Sequence, residues 1–478
     1  MPSIFQTLFR GTKQTAMAAA SPAPQAPPIE FDAIYAQAVA CVSAQNLERA
    51  LELFDQAVAL DPARAEPYYK RANVLKDMGR HGAAIAGYDQ AIARRPDYAH
   101  AYCNRGVVEQ ALGRVEAALS SYGRAIALDP TDFMAPYNRA LLMQDCSRWE
   151  EALADYDRAI ALNPQFADAL YNRAMAQLFL GDFEAGWRGY EWRWVNARRL
   201  GIGEARPFTQ PRWLGEDLSG RLLLLYSEAG LGDTLQFCRF VPLCARLGAT
   251  VILEAQAPLA GLLERLEGVS QVVTPDSTLS TFDYQSPLLS LPLAFRTTLD
   301  TIPAPASYLR ADEARMAQWR TRLGPRSKPR IGLVWSGNPR NAIDARRSIA
   351  LADWIGHLPV EFEYYRLQTQ VREPDRAVLD SSSLIISFDD TLLDFENTAA
   401  LCACLDLVIT VDTSLAHLAG ALGQRTWVLL AHTPDFRWLR DRPDSPWYPS
   451  LKLYRQAAAG DWIGVFERIA ADLRREFR

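Results

Sequence analysis

One period governs the first part of the chain. Pro62, Pro96, Pro130 and Pro164 stand 34 residues apart, and the same step relates Ala50, Ala84, Ala118 and Ala152, then Phe54, Tyr88, Tyr122 and Tyr156, then Ala57, Ala91, Ala125 and Ala159. Four positions repeating in phase restrict this region to a stack of like units, since each unit buries its apolar face only against its neighbours. The small residues let two antiparallel helices approach closely, the aromatic fills the gap between units, and the proline ends the second helix.

These residues resemble the tetratricopeptide repeat, from residue 29 to about 164. A fifth unit begins at Ala167, and its second helix replaces small positions with Trp187, Trp192 and Trp194, as a cap that covers the end of the solenoid would. The same tryptophans would also suit a sugar platform. The repeats carry a polar ladder at the common step: Asn104, Asn138 and Asn172, each followed by an arginine (Arg105, Arg139, Arg173), while the first two repeats have Ala36 and Lys70 there. A primary amide matches the donor and acceptor of an extended peptide. The ladder is similar to that of the eukaryotic protein O-GlcNAc transferases, which implies acceptor binding. The alternative is that these amides tie adjacent repeats together.

The remaining length calls for further domains, since 478 residues at about 150 per domain suggest roughly three. The chain has 51 Lys+Arg against 56 Asp+Glu, so no basic field exists to hold a nucleic-acid backbone. Seven cysteines (Cys41, Cys103, Cys146, Cys238, Cys244, Cys402, Cys404) lack paired zinc spacing and read as reduced core thiols, which points to the cytoplasm. No apolar run reaches the ~18 residues of a bilayer span, and residues 1–28 read as a flexible leader without an export signal.

From about Asp217 short apolar runs alternate with helical stretches, the mark of parallel α/β units. RLLLLYS (221–227), TVILEA (250–255) and QVVTP (271–275) form a first set. RIGLVWSG (330–337), FEYYRLQ (362–368), SLIISF (383–388), LDLVITVDT (405–413), TWVLLA (426–431) and LKLYRQ (451–456) form a second. The organisation read from this is a repeat domain at 29–196, a linker at 197–216, a first lobe at 217–310, a connector at 311–328 and a second lobe at 329–478. The last helix, about 459–477, is expected to pack across both lobes. Ligands of such open sheets bind at the carboxyl ends of the strands.

Three of those ends carry chemistry. EAGLGDTLQF places Gly230 and Gly232 in a tight turn and Asp233 at a helix start, where its carboxylate is either an N-cap or a base at the cleft mouth. The strand LDLVITVD runs into TSLAHLAGALG, putting Asp412, Thr413 and Ser414 at a helix N-terminus suited to an anion, with His417 one turn in. WSGNP supplies Ser336 and Asn338, Gln368 ends the next strand, and Arg346 and Arg347 offer the fork that binds phosphate oxygens. Arg437, Trp438 and Tyr448 either shape a base or sugar pocket or pack a loop.

Taken in order, GLGD, WSGNP, RRSI, DFENTAAL and VDTSLAHLAGALG resemble the heptosyltransferase-like glycosyltransferases, with two facing Rossmann-type lobes (GT-B). Fused to repeats and followed by DFRWLRDRPDSPWYPSLKLYRQ, they are similar to bacterial repeat-containing glycosyltransferases. The resemblance implies an inverting, metal-independent transfer from a nucleotide sugar, without another cofactor. It puts Asp233 at the position of the base, Arg347 at a phosphate contact, and Asp412, Thr413 and His417 in the donor-site loop, and Gly232, Ser336, Asn338, Gln368 and Ser414 are read with them as donor-binding. In RRSI an arginine stands where heptosyltransferases usually have lysine, and the first lobe is short. The only DxD spacing, Asp155 and Asp157, lies within a repeat helix. The expected acceptor is a protein recruited by the repeats, such as a flagellar or other surface subunit. A lipid or oligosaccharide acceptor, or a non-catalytic adaptor, is the alternative.

Overall fold

A computed structural model describes residues 28–200, 206–279, 281–341, 343–388 and 394–477. The stretch read as a leader lies outside the described residues except for Pro28. Contacts divide the chain into two compact units, one ending at Ala169 and the other beginning at Leu170.

The first unit turns the 34-residue pattern into helix pairs: α1 (Pro28–Ser43) with α2 (Leu47–Leu60), α3 (Ala65–Asp77) with α4 (His81–Arg94), α5 (Ala99–Ala111) with α6 (Val115–Leu128), and α7 (Met134–Asp145) with α8 (Trp149–Leu162). Every periodic alanine is buried, and Tyr88, Tyr122 and Tyr156 are fully enclosed. Enclosure demands a partner for each hydroxyl. Two use the same offset, Tyr122 donating to Gln110 Oε1 (2.9 Å) and Tyr156 to Gln144 Oε1 (3.0 Å), while Tyr88 donates to Asn73 Oδ1 (2.7 Å). Close helix approach at Gly106 is equally specific, because a Cβ there would sit 2.8 Å from Tyr122 Cε1.

The asparagine ladder belongs to this internal bonding, which corrects the acceptor-binding reading of Asn104 and Asn138. Asn104 is buried and gives both amide hydrogens away, to Tyr69 Oη (3.0 Å) and Asn73 Oδ1 (2.9 Å) of the preceding repeat. Asn138, also buried, reaches Cys103 Sγ (3.7 Å), one period after Tyr69. Both side chains are buried against the preceding repeat, and Asn104 has no amide hydrogen left for a peptide in a groove. Asn172 falls in the second unit and is half-buried.

In the second unit α9 (Ala167–Leu180, from Leu170) and α10 (Phe183–Tyr190) lead into two parallel sheets. The first has the order β3-β2-β1-β4, with β1 (Leu222–Tyr226), β2 (Thr250–Glu254), β3 (Val269–Val273) and β4 (Tyr284–Pro287). The second runs β10-β9-β8-β5-β6-β7, with β5 (Arg330–Val334), β6 (Glu363–Arg366), β7 (Ile385–Ile386), β8 (Leu407–Val411), β9 (Thr426–Leu430) and β10 (Leu451–Arg455). Sequence patterning missed β4: YQSP lacks alternation and ends in proline, which only an edge strand tolerates. That edge is covered by the segment leading in from the repeats, where Trp213 N–H donates to Gln285 O (2.8 Å) and Gln285 N–H to Pro211 O (3.1 Å).

The order reverses beside β1 in one sheet and between β5 and β8 in the other, and such switch points open a crevice at the carboxyl ends. The helix Ile463–Glu476 buries Val465, Phe466, Ile469 and Leu473 in the core of the second sheet, with Trp354 stacked on Phe466 at 5.9 Å. This corrects the expectation that it bridges both lobes. Trp187 is covered by Phe183, Tyr190, Phe237, Phe436 and Trp447, so its role is packing and not a sugar platform. An α-solenoid followed by a parallel-sheet α/β region is an architecture consistent with GT-B. No described helix is long and apolar enough to cross a membrane.

Candidate active site

Three switch-point loops supply the site. After β1 the chain turns at Gly230 into the GLGD helix (Leu231–Phe237). Asp233 is not the N-cap residue: it occupies the third helical position and reaches back, its Oδ2 accepting Gly230 N–H at 2.9 Å. This is one half of a capping box. The other oxygen, Oδ1, accepts from Arg437 Nη2. The side chain keeps 24% of its surface exposed, so the carboxylate is not sealed from a ligand. Burial raises its pKa above the ordinary carboxylate value, Arg437 works against that rise, and Asp435 adds to it.

After β8, Asp412 and Thr413 precede the DTS helix (Ser414–Ala421). Thr413 is its N-cap, Oγ1 accepting Leu415 N–H at 3.3 Å, and Ser414 is half-buried at its first position. Asp412 is pushed up to about 6, chiefly by burial and then by Asp435, with Arg347 opposing. His417 is enclosed: Nδ1 meets Tyr448 Oη at 2.9 Å and the ring stacks on Trp438 at 5.5 Å. Burial and the nearby Arg437, Arg239 and Arg347 hold its pKa well below the usual value, so it is neutral at physiological pH.

Gly232 explains how the two helices meet. A Cβ on it would lie 2.9 Å from His417 Cδ2 and 3.3 Å from Ser414 Cα, so this glycine permits direct contact between the two lobes. Its absent side chain serves close approach of the two helices.

After β5, Ser336 is buried with a hydroxyl that has no hydrogen-bond partner, while Asn338 is exposed and accepts Arg340 N–H at 3.0 Å. Arg347 gives Nη1 to Asp412 O (2.7 Å) and holds Nε 3.5 Å from Asp344 Oδ1, bracing this loop against the DTS turn. Gln368 does not face a ligand: its Oε1 accepts Trp335 and Ser336 N–H (3.2 and 3.1 Å), and its Nε2 donates to Ser336 O and Gln370 O (2.9 and 3.0 Å). That corrects its placement among donor-binding residues.

Sequence reading undervalued Arg437, which is buried and collects Asp233 Oδ1, Gln236 Oε1 (2.6 Å) and Asp435 Oδ1 (2.8 Å). Its partners lie about 200 residues away in the chain, beyond any spacing rule; only Asp435, two residues before it, was a local hint. Arg372 was missed too, and it reaches Asp344, Ser348 Oγ (3.0 Å) and Gly337 O (3.3 Å). Among the described residues no group of three or more His, Cys, Asp or Glu is placed to hold a metal ion. Asp155 of the DxD pair is bound in both oxygens by Arg139 (2.6 and 2.7 Å).

Residues 392–457 match the family described as Glycosyltransferase family 9 (heptosyltransferase), a span that holds the DTS helix and Arg437. Residues 69–133 match a tetratricopeptide repeat family, and 39–79 with 145–181 another TPR repeat family. The chain is 29% identical over 332 residues to Protein FlbA of Caulobacter vibrioides, covering 62% of this chain and 53% of that protein, so it spans about half the length of this curated relative. Solved structures similar to it include YrrB, titled a TPR protein with an unusual peptide-binding site (24% identical, 33% of this chain and 82% of that one, TM-score 0.29). PilF of Pseudomonas aeruginosa is another (20% identical, 36% and 79%, TM-score 0.34). The chain therefore joins tetratricopeptide repeats to a heptosyltransferase-like glycosyltransferase region.

Proposed function

We propose that this protein is an inverting, metal-independent glycosyltransferase that moves a sugar from a nucleotide-sugar donor to a protein acceptor in the cytoplasm. The observation that carries the reading is the convergence, at the switch points of two parallel sheets, of one partly open carboxylate, Asp233, with the Arg347-braced turn before the DTS helix. In the reaction the acceptor oxygen bonds to the anomeric carbon as the bond from that carbon to the diphosphate oxygen breaks. Asp233 takes the acceptor's proton. Attack opposite the leaving group inverts the centre through an oxocarbenium-like state. Charge gathering on the departing diphosphate is met by the Arg347 guanidinium and the N-terminal end of the DTS helix.

The repeats supply the acceptor surface. With Asn104 and Asn138 turned inward, the contact falls to exposed side chains, among them Glu116 and Glu151, which line a groove of about 580 Å³ together with Arg148 and the Arg139–Asp155 pair. The test is a thermal-shift panel of UDP-, GDP-, ADP- and CMP-sugars on the full chain with EDTA present. A rise in Tm with one nucleotide class, followed by sugar transfer to a protein detected by intact mass, is the expected result. No shift with any donor favours an adaptor role, and transfer abolished by EDTA removes metal independence.

A further inference from the structure

We propose that Arg437 is a positioning residue that makes the base conditional on lobe docking: a guanidinium on the second lobe holds the first lobe's Asp233 in its working geometry. The inference rests on Asp233 being the base. Two of the three acceptors of Arg437, Asp233 and Gln236, lie three residues apart on the GLGD helix, and so on one face of it. The third, Asp435, belongs to the same loop as Arg437 and fixes the guanidinium from behind. The planar fork therefore grips the first lobe at two points and its own lobe at one. Phe436 and Phe237 flank it, 4.4 and 5.6 Å from the guanidinium carbon.

A separate tie keeps the lobes together without it. Arg239, on the segment after the GLGD helix, donates to Gln236 O (2.7 Å), to Trp447 O (2.5 Å) and to Tyr308 Oη (3.0 Å). Gly232 seats the helix on His417 and Ser414 independently of both. Removing Arg437 thus releases Asp233 Oδ1, while Oδ2 keeps Gly230 N–H and the docking surface persists. The charged and titratable groups that interact with Asp233 are then Asp435, Glu228, Tyr171 and Tyr190, and loss of the guanidinium removes the cation that opposes the acidic ones.

The full chain labelled with ¹³Cγ-aspartate tests this, with the Asp233 signal assigned by its loss in Asp233→Asn. In Arg437→Met the Asp233 titration midpoint is expected to rise by about one pH unit or more, with Arg437→Lys between it and the unmodified chain. With the UDP-, GDP-, ADP- or CMP-sugar that the chain turns over, kcat of Arg437→Met at pH 6 should fall about tenfold or more, at little change in donor KM, and recover toward pH 9. An unmoved midpoint overturns the proposal, as does a loss of kcat equal at every pH and not relieved by lysine. Full turnover by Asp233→Asn instead defeats the base reading, and leaves the titration arm to judge the contact alone.

Discussion

The repeat unit and the two-sheet unit bury polar side chains in opposite ways. In the repeats the enclosed tyrosines and asparagines find partners within about one period: Tyr122 with Gln110, Tyr156 with Gln144, Asn104 with Tyr69. In the sheet unit the ties span the chain, 204 residues from Arg437 to Asp233 and 97 from Arg193 to Ser290, and some atoms stay unmatched, among them Ser336 Oγ and Glu228 Oε2. A buried polar group that is fully bonded only stabilises; one left partly open holds affinity for something else. The repeats leave few such atoms, His81 Nδ1 among them, and most of the rest lie in the sheet unit.

Four substitutions press on that contrast. The largest effect should come from Asp233→Asn, lowering transfer by about 10²–10⁴-fold while donor binding, read by thermal shift, stays near that of the unmodified chain. Gly232→Ala forces a methyl against the His417 ring and should cost about 1–3 kcal/mol in denaturant unfolding together with most of the turnover, since the lobes can no longer seat. If it is silent in both measurements, the interlobe contact is looser than described.

Asn104→Ala removes one donor each from Tyr69 Oη and Asn73 Oδ1, the latter keeping Tyr88 Oη, and should cost about 1–3 kcal/mol, with donor hydrolysis unchanged. A drop in donor hydrolysis would show that the ladder does more than join repeats. The smallest effect concerns Glu228, raised to about 7 mainly by burial, with Arg193 opposing. Because its folded pKa lies above its ordinary value, its contribution to stability is complete in acid and is lost as pH rises through about 7. Tm should therefore fall between pH 5 and 8, and Glu228→Gln should flatten that decline.

The solenoid was legible because its code is local. Alanine, aromatic and proline positions fixed the helix pairs, and all nine anticipated strands are present. What stayed hidden was set by distance in the chain. The inward turn of Asn104 depends on Tyr69 and Asn73 in a neighbouring repeat, and a primary amide reads the same whether it faces a groove or a seam. Gln368 ended a strand as a ligand residue would, yet its amide closes the loop at Trp335 and Ser336. The motif GLGD marked Asp233, but not the guanidinium opposite it.

The bonds from Pro211 and Trp213 to Gln285 set a practical limit on dissecting this protein. A catalytic fragment begun at Asp217, where the strand pattern starts, would strip the small sheet of its border and leave β4 ready to recruit a strand from another molecule. It would also discard Arg193, whose charge answers the buried Glu228. The stretch that looks like a tether between modules is the hem of the small sheet, and any shortened version has to begin upstream of α10.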